Sequence, residues 1–164
     1  MDQRLPGGPT HPQAVQPTSG GVGHPELVLY VDPEPSNRVV FLHSMGRLFR
    51  AAAVEGGEQA LLQLSAEVPA VLITEDRLAG MGGVQLLECY RAESPCTVRV
   101  VCTAHVDVEL LLRAINHGGV DRVLLKPWDR AELEALIFSC LLQHTRALKS
   151  GRQLGAAGTD PREG

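Results

Sequence analysis

The chain has 164 residues, of which 44% are hydrophobic and 21% charged, and it carries a net charge of −4. This length supports one hydrophobic core rather than two, and the acidic balance argues against the basic stripe of a nucleic-acid-binding surface. No run of about 18 apolar residues is present, so no membrane-spanning helix is expected.

Residues 1 to 25 are rich in Pro, Gly, Gln, Thr and Ser and contain no apolar segment of the kind a secretory signal needs. They bury too little apolar surface to offset the entropy of ordering, and a flexible tail is expected. The same holds for residues 150 to 164. The expected domain is therefore residues 26 to 149, in a cytoplasmic protein, with no output domain after it.

"LVLYVD" (27 to 32) is a short apolar run ending in an acid. "SNRVVFLHSMGRLF" (36 to 49) begins with Ser36 as N-cap and repeats Val39, Leu42, Met45 and Phe49 at helical spacing. "RAAAVE" reads as a weak strand, and "GEQALLQLSAE" (57 to 67) as a helix. "AVLIT" (70 to 74) is a continuous apolar run, and "GVQLLECYRAE" a helix. "TVRVVCT" (97 to 103) is a strand, followed by a helix over 106 to 119 that Gly118 and Gly119 terminate. "VDRVLLK" is the fifth strand, and residues 129 to 149 form a long helix with Asp129 as N-cap. That helix carries a stripe of Leu133, Leu136, Ile137, Cys140, Leu141, His144 and Leu148. Its early part must pack on the sheet. Its later part, from about Leu141, is a candidate contact for a partner helix or a second copy, with core packing along the whole helix as the alternative.

Strands alternating with helices imply a parallel sheet covered on both faces, and strands buried on both sides should be continuous apolar runs, as these are. The expected architecture is an open, doubly wound α/β sandwich whose functional crevice lies beyond the carboxyl ends of the strands. Asp32, Thr74, Glu75, Asp76, Thr103 and Lys126 all fall at that edge.

The cysteines, Cys89, Cys96, Cys102 and Cys140, form no CxxC pair and are expected as buried, reduced thiols. The six histidines show no zinc-finger spacing with them.

"YVDPEP", "PAVLITEDRLAGMGG", "VVCTAH" and "LLKPWD" together resemble a receiver domain of the two-component response regulators, over residues 27 to about 145. The resemblance implies a flavodoxin-like (βα)5 fold with strand order 2-1-3-4-5. In that family two adjacent acids after strand 1 help to hold Mg²⁺, an aspartate at the end of strand 3 accepts a phosphoryl group, and a Thr or Ser and a Lys contact its oxygens. Asp32 matches the first acid, while Pro33 stands at the second and Glu34 follows it. Thr103 and Lys126 match the phosphate-contact positions, and Val123 stands where an aromatic switch residue is common.

The family's acceptor lies six residues after the proline that opens strand 3 and eight before the second glycine of the turn. Pro69 and Gly83 both select Glu75, not Asp76. Strand side chains alternate, so Glu75 should point into the site and Asp76 away from it. A glutamate sets its carboxylate about 1 Å further out, a misplacement that can cost on the order of 100-fold in rate. It retains a negative charge that Lys126 and Thr103 can meet.

The resemblance therefore implies a non-enzymatic pseudo-receiver that signals through protein contacts, with a histidine kinase or another signalling protein as partner. No cofactor is expected, and Mg²⁺ has only a degraded site at Asp32. The alternative is a receiver that takes phosphate from a histidine kinase on Asp76 or Glu75. A flavodoxin-like cofactor binder is a third reading, disfavoured because "VDPEPSN" has acids where an anionic phosphate would sit.

Overall fold

In the computed structural model, five parallel strands stand side by side in the order β2-β1-β3-β4-β5. The structure describes residues 14–19 and 24–156, with side chains to residue 151. The strands are β1 (Leu27–Val31), β2 (Arg50–Val54), β3 (Val71–Glu75), β4 (Val98–Thr103) and β5 (Arg122–Leu125). The helices are α1 (Pro35–Met45), α2 (Gly57–Ala66), α3 (Gly83–Glu93), α4 (Val108–Arg113) and α5 (Arg130–Ala156). This is the flavodoxin-like order expected from the sequence.

The strands form because their apolar runs satisfy both faces of the sheet. On one face Val28, Tyr30, Val71, Ile73, Val100, Cys102 and Leu124 pack against Phe41, Met45, Leu133 and Ile137 of α1 and α5. On the other, Leu27, Leu29, Val31, Leu72 and Val101 pack against Ala60, Leu86, Leu87 and Tyr90 of α2 and α3. Each buried Val, Leu, Ile, Phe or Met among them contributes roughly 1.5–3 kcal/mol by leaving water. The strict alternation between the two faces also determines where each strand's final residue points.

Several boundaries differ from expectation. Helix α1 starts at Pro35, with Glu34 rather than Ser36 as its cap: the Glu34 carboxylate accepts the Ser36 N–H at 3.4 Å and the Ser36 hydroxyl at 3.0 Å. Pro35 at the first helical position loses nothing, because its missing N–H would have no helical partner there. The helix ends at Met45 rather than Phe49, and the Gly46 N–H returns to the Leu42 carbonyl. Phe49 is fully buried, so the chain leaves the helix early to drive that ring into the core.

Asp107 caps α4 by accepting the Leu110 N–H, which sets the helix start at Val108 rather than 106. The helix closes as a π-helical turn, Ala114–Gly118, and Gly119 ends it with φ 58°. That left-handed conformation favours glycine. Asp129 caps α5 through the Glu132 N–H, and the helix runs on to Ala156, past the expected end at 149.

Part of the segment expected as a tail lies on the sheet. Thr18 hydrogen bonds to Phe49 and Ala51, along the outer edge of β2.

Candidate functional site

The site follows from strand alternation. Asp32 is two residues beyond Tyr30, Glu75 two beyond Ile73, and Lys126 two beyond Leu124. Tyr30, Ile73 and Leu124 all face α1 and α5. The three charged groups inherit that side and converge just past the carboxyl ends of β1, β3 and β5.

Lys126 joins the other two. Its Nζ donates to Asp32 Oδ2 at 2.5 Å and also to Glu75 Oε2. Asp32 is buried, and its carboxylate accepts from the Tyr30 hydroxyl (2.8 Å), the Asn37 amide (3.1 Å) and the Glu34 N–H (2.9 Å) as well as from Lys126. Burial by itself raises the Asp32 pKa, but the bonds from Lys126, Glu34 and Tyr30 outweigh it and hold the carboxyl below its ordinary value. Burial likewise pulls Lys126 down, and its two carboxylate partners lift it above the usual lysine value. Beneath the bridge, burial pushes the Cys102 thiol up to about 12, so it stays protonated and apolar. Burial raises Tyr30 too, keeping its hydroxyl a donor to Asp32.

Glu75 has both carboxylate oxygens in use. Oε2 accepts from Lys126, and Oε1 accepts the N–H of Asp76 at 3.1 Å. Asp76 has the opposite parity and leaves on the other side. It lines a separate polar cleft with Arg77, Glu88, Asp107, Arg113 and His117, and burial raises its pKa. The two adjacent acids therefore belong to different cavities, and only Glu75 lines the one that also holds Asp32, Glu34, Thr103 and Lys126.

Thr103 lines that cavity but does not join the bridge. It shares the parity of Val101, which packs on the α3 side. Its hydroxyl donates to the His105 carbonyl at 3.1 Å and accepts the His105 N–H at 3.2 Å. Glu34 is occupied as the α1 cap. Pro33 supplies only its backbone carbonyl, which accepts from Arg38 at 2.9 Å. Val123 lies on β5 with 37% of its surface exposed and lines none of the cavities described above. Among the described residues no group of three or more His, Cys, Asp or Glu could hold a metal ion.

Two contributors escape a motif search. Tyr30 is legible as sharing Asp32's face, since the two are two residues apart in one strand. Asn37 reaches Asp32 from the first turn of α1, and nothing in the sequence marks it.

Comparison with known proteins agrees with this geometry. Residues 28–138 match the family model of the response regulator receiver domain. The chain is 31% identical over 112 residues to the DNA-binding transcriptional regulator NtrC of Salmonella typhimurium, covering 68% of this chain and 24% of that protein. It is 29% identical over 101 residues to the hydrogenase transcriptional regulatory protein HoxA of Cupriavidus necator, covering 62% of this chain and 21% of that one. The chain thus spans about a quarter of the length of these regulators, and DNA binding is stated of NtrC only. The signal receiver domain of an HD domain-containing protein from Pseudomonas fluorescens Pf-5 superposes with a TM-score of 0.72 at 26% identity, covering 76% of this chain and 92% of that one. The chemotaxis protein CheY4 of Vibrio cholerae shares the fold, with a TM-score of 0.64 at 21% identity, covering 71% of this chain and 98% of that one. With its matching strand order, its convergent Asp32, Glu75 and Lys126, and a family match over most of its length, the chain belongs to the response regulator receiver domain family.

Proposed function

We propose that this receiver domain signals without phosphorylation, as a cytoplasmic, non-enzymatic module that acts by protein contact. The observation that carries this reading is the state of Glu75. Each of its oxygens already accepts a bond, and one of them is tied to Lys126. An acceptor must present a free carboxylate in line with the incoming phosphorus, and near-attack geometry is sensitive to about 1 Å. Glu75 is a methylene too long and is turned back on its own backbone.

The oxygens nearby do not suit Mg²⁺ either. That ion requires near-octahedral oxygen ligands at about 2.0–2.1 Å. Pro33 offers no carboxylate, and Asp32 already accepts four hydrogen bonds. The Lys126 ammonium supplies the positive charge that the two acids need. The module then has one resting arrangement, held by an internal cation.

The partner is a histidine kinase or another signalling protein. Val108, Leu112 and Ile115, on α4 and its π-helical turn, and Leu125 on β5 leave exposed apolar surface for such a contact. Incubation with a small phosphodonor and Mg²⁺, followed by intact mass measurement, tests the proposal. The expected spectrum shows unmodified protein. A stoichiometric phosphoryl adduct would overturn it, and loss of that adduct in Asp76→Ala would place the chemistry on Asp76.

A further inference from the structure

The sheet has two open edges, β2 and β5, and they are protected differently. An uncovered edge presents unpaired N–H and C=O groups to any other extended chain, and proteins blunt it with charge, proline or a covering segment. Edge strand β5 carries the exposed Arg122 and is followed by Pro127. Edge strand β2, "RAAAV", has a single charge, Arg50, and that guanidinium is paired with Glu67. Its three alanines leave another backbone free to approach.

What lies on this edge is the segment before β1. The Thr18 N–H donates to the Ala51 carbonyl at 2.8 Å. The Thr18 hydroxyl donates to the Phe49 carbonyl at 3.2 Å and accepts the Ala51 N–H at 3.0 Å. One threonine thus satisfies the outward backbone groups of Ala51 and one of Phe49. The seat is shaped for it: a Cβ added at Gly46 would lie 2.9 Å from the Thr18 methyl. A second anchor follows at His24, whose ring stands edge-on to Phe138 at 5.1 Å and tilted against Phe49 at 5.8 Å. Outward groups recur every second residue on a parallel edge. Ala53 therefore faces the same way, and among the described residues it has no such cover.

We infer that the segment around Thr18 is a strap that seats on the β2 edge and prevents this edge from pairing with a second copy of the chain. The proposal does not depend on the state of Glu75. It concerns a surface at the far side of the sheet from β5 and assigns a role to a segment that precedes the receiver fold.

The test uses the full chain and a Thr18→Pro variant, which loses both the N–H and the hydroxyl. Hydrogen exchange at Ala51 reports the seat, and sedimentation over a concentration series reports pairing. In the wild type the Ala51 amide is expected to exchange at least about tenfold more slowly than the Ala53 amide, the effect of one added hydrogen bond in a covered site. The variant is expected to lose that difference and to form a concentration-dependent dimer. Equal exchange at Ala51 and Ala53 in the wild type would overturn the seat. A variant that loses protection yet stays monomeric throughout would overturn the proposed role. Circular dichroism matching the wild type establishes that the variant is folded, since position 18 lies outside all strands and helices of the domain.

Discussion

Lys126 and Asp32, 94 residues apart in sequence, are joined by a 2.5 Å bond from Nζ to Oδ2 that ties the end of β5 to the end of β1. Neither strand neighbours the other, because β3 and β4 lie between them. The same ammonium bonds Glu75 at the end of β3, so a single cation secures three strands at the carboxyl edge. Removing it leaves two acids facing each other with little water. Lys126→Met is expected to cost about 3 kcal/mol, the range for losing one partner of a buried ion pair. Urea unfolding with an unchanged m-value measures it.

The same bridge sets the pH range of that stability. The Asp32 pKa is lowered on folding, so its contribution is present above the unfolded value of about 3.9 and fades as pH falls through the folded value. The Lys126 pKa is raised, so its contribution is complete below about 10.4 and fades only as pH rises through its higher folded value. The Asp32–Lys126 pair should therefore be at full strength between about pH 4 and 10. Below pH 4 the wild type should lose stability steeply. In Lys126→Met this acid-side loss should be smaller, because the strongest bond lowering the Asp32 pKa is gone. Equal acid sensitivity in both proteins would contradict the assignment.

On the proposal that the length of Glu75 and the missing acid at Pro33 prevent phosphoryl transfer, restoring both should allow it. Pro33→Asp with Glu75→Asp is expected to gain an Mg²⁺-dependent phosphoryl adduct from a small phosphodonor. Glu75→Asp alone should gain far less, since position 33 would still lack the acid adjacent to Asp32 and Glu34 is engaged as the α1 cap. Intact mass before and after mild alkali, which cleaves acyl phosphates, reads the outcome. An unmodified double variant with native circular dichroism would show that further features of the pocket block the chemistry.

Much of this site is legible in the amino-acid sequence. Strand alternation, counted from Pro69 and Gly83, separates Glu75 from Asp76, and the two acids do open into different cavities. The sheet order follows from alternating strands and helices together with the family resemblance. The contribution of Thr103 is not legible in the same way. It ends β4 one residue out of phase with Cys102, and a motif match does not register that phase. Its hydroxyl closes a local turn with His105 and makes no bond to Glu75. The Thr18 contact is also invisible, since one polar residue gripping an edge has no periodicity. Helix ends differ for local reasons: Glu34 out-competes Ser36 as a cap, and the burial of Phe49 shortens α1.

The glycine turn after β3 supports one more expectation. Gly83 begins α3 directly over the end of β3, and its N–H donates to the Asp76 carbonyl at 2.9 Å. A Cβ at that position would collide with the Glu75 carbonyl oxygen and lie 2.9 Å from the Asp76 Cα. Both neighbours are backbone, which cannot swing aside as a side chain can. Gly83→Ala must therefore lift α3 from the sheet or displace the very residues that carry the site acids. Overpacking of this kind costs about 1–3 kcal/mol. Gly82→Ala is the control, because nothing lies within 4 Å of its added Cβ and its φ of −69° suits any residue. The expected result is a clear loss of thermal stability in Gly83→Ala, a near-neutral Gly82→Ala, and NMR shifts at Glu75 and Lys126 in the first variant alone.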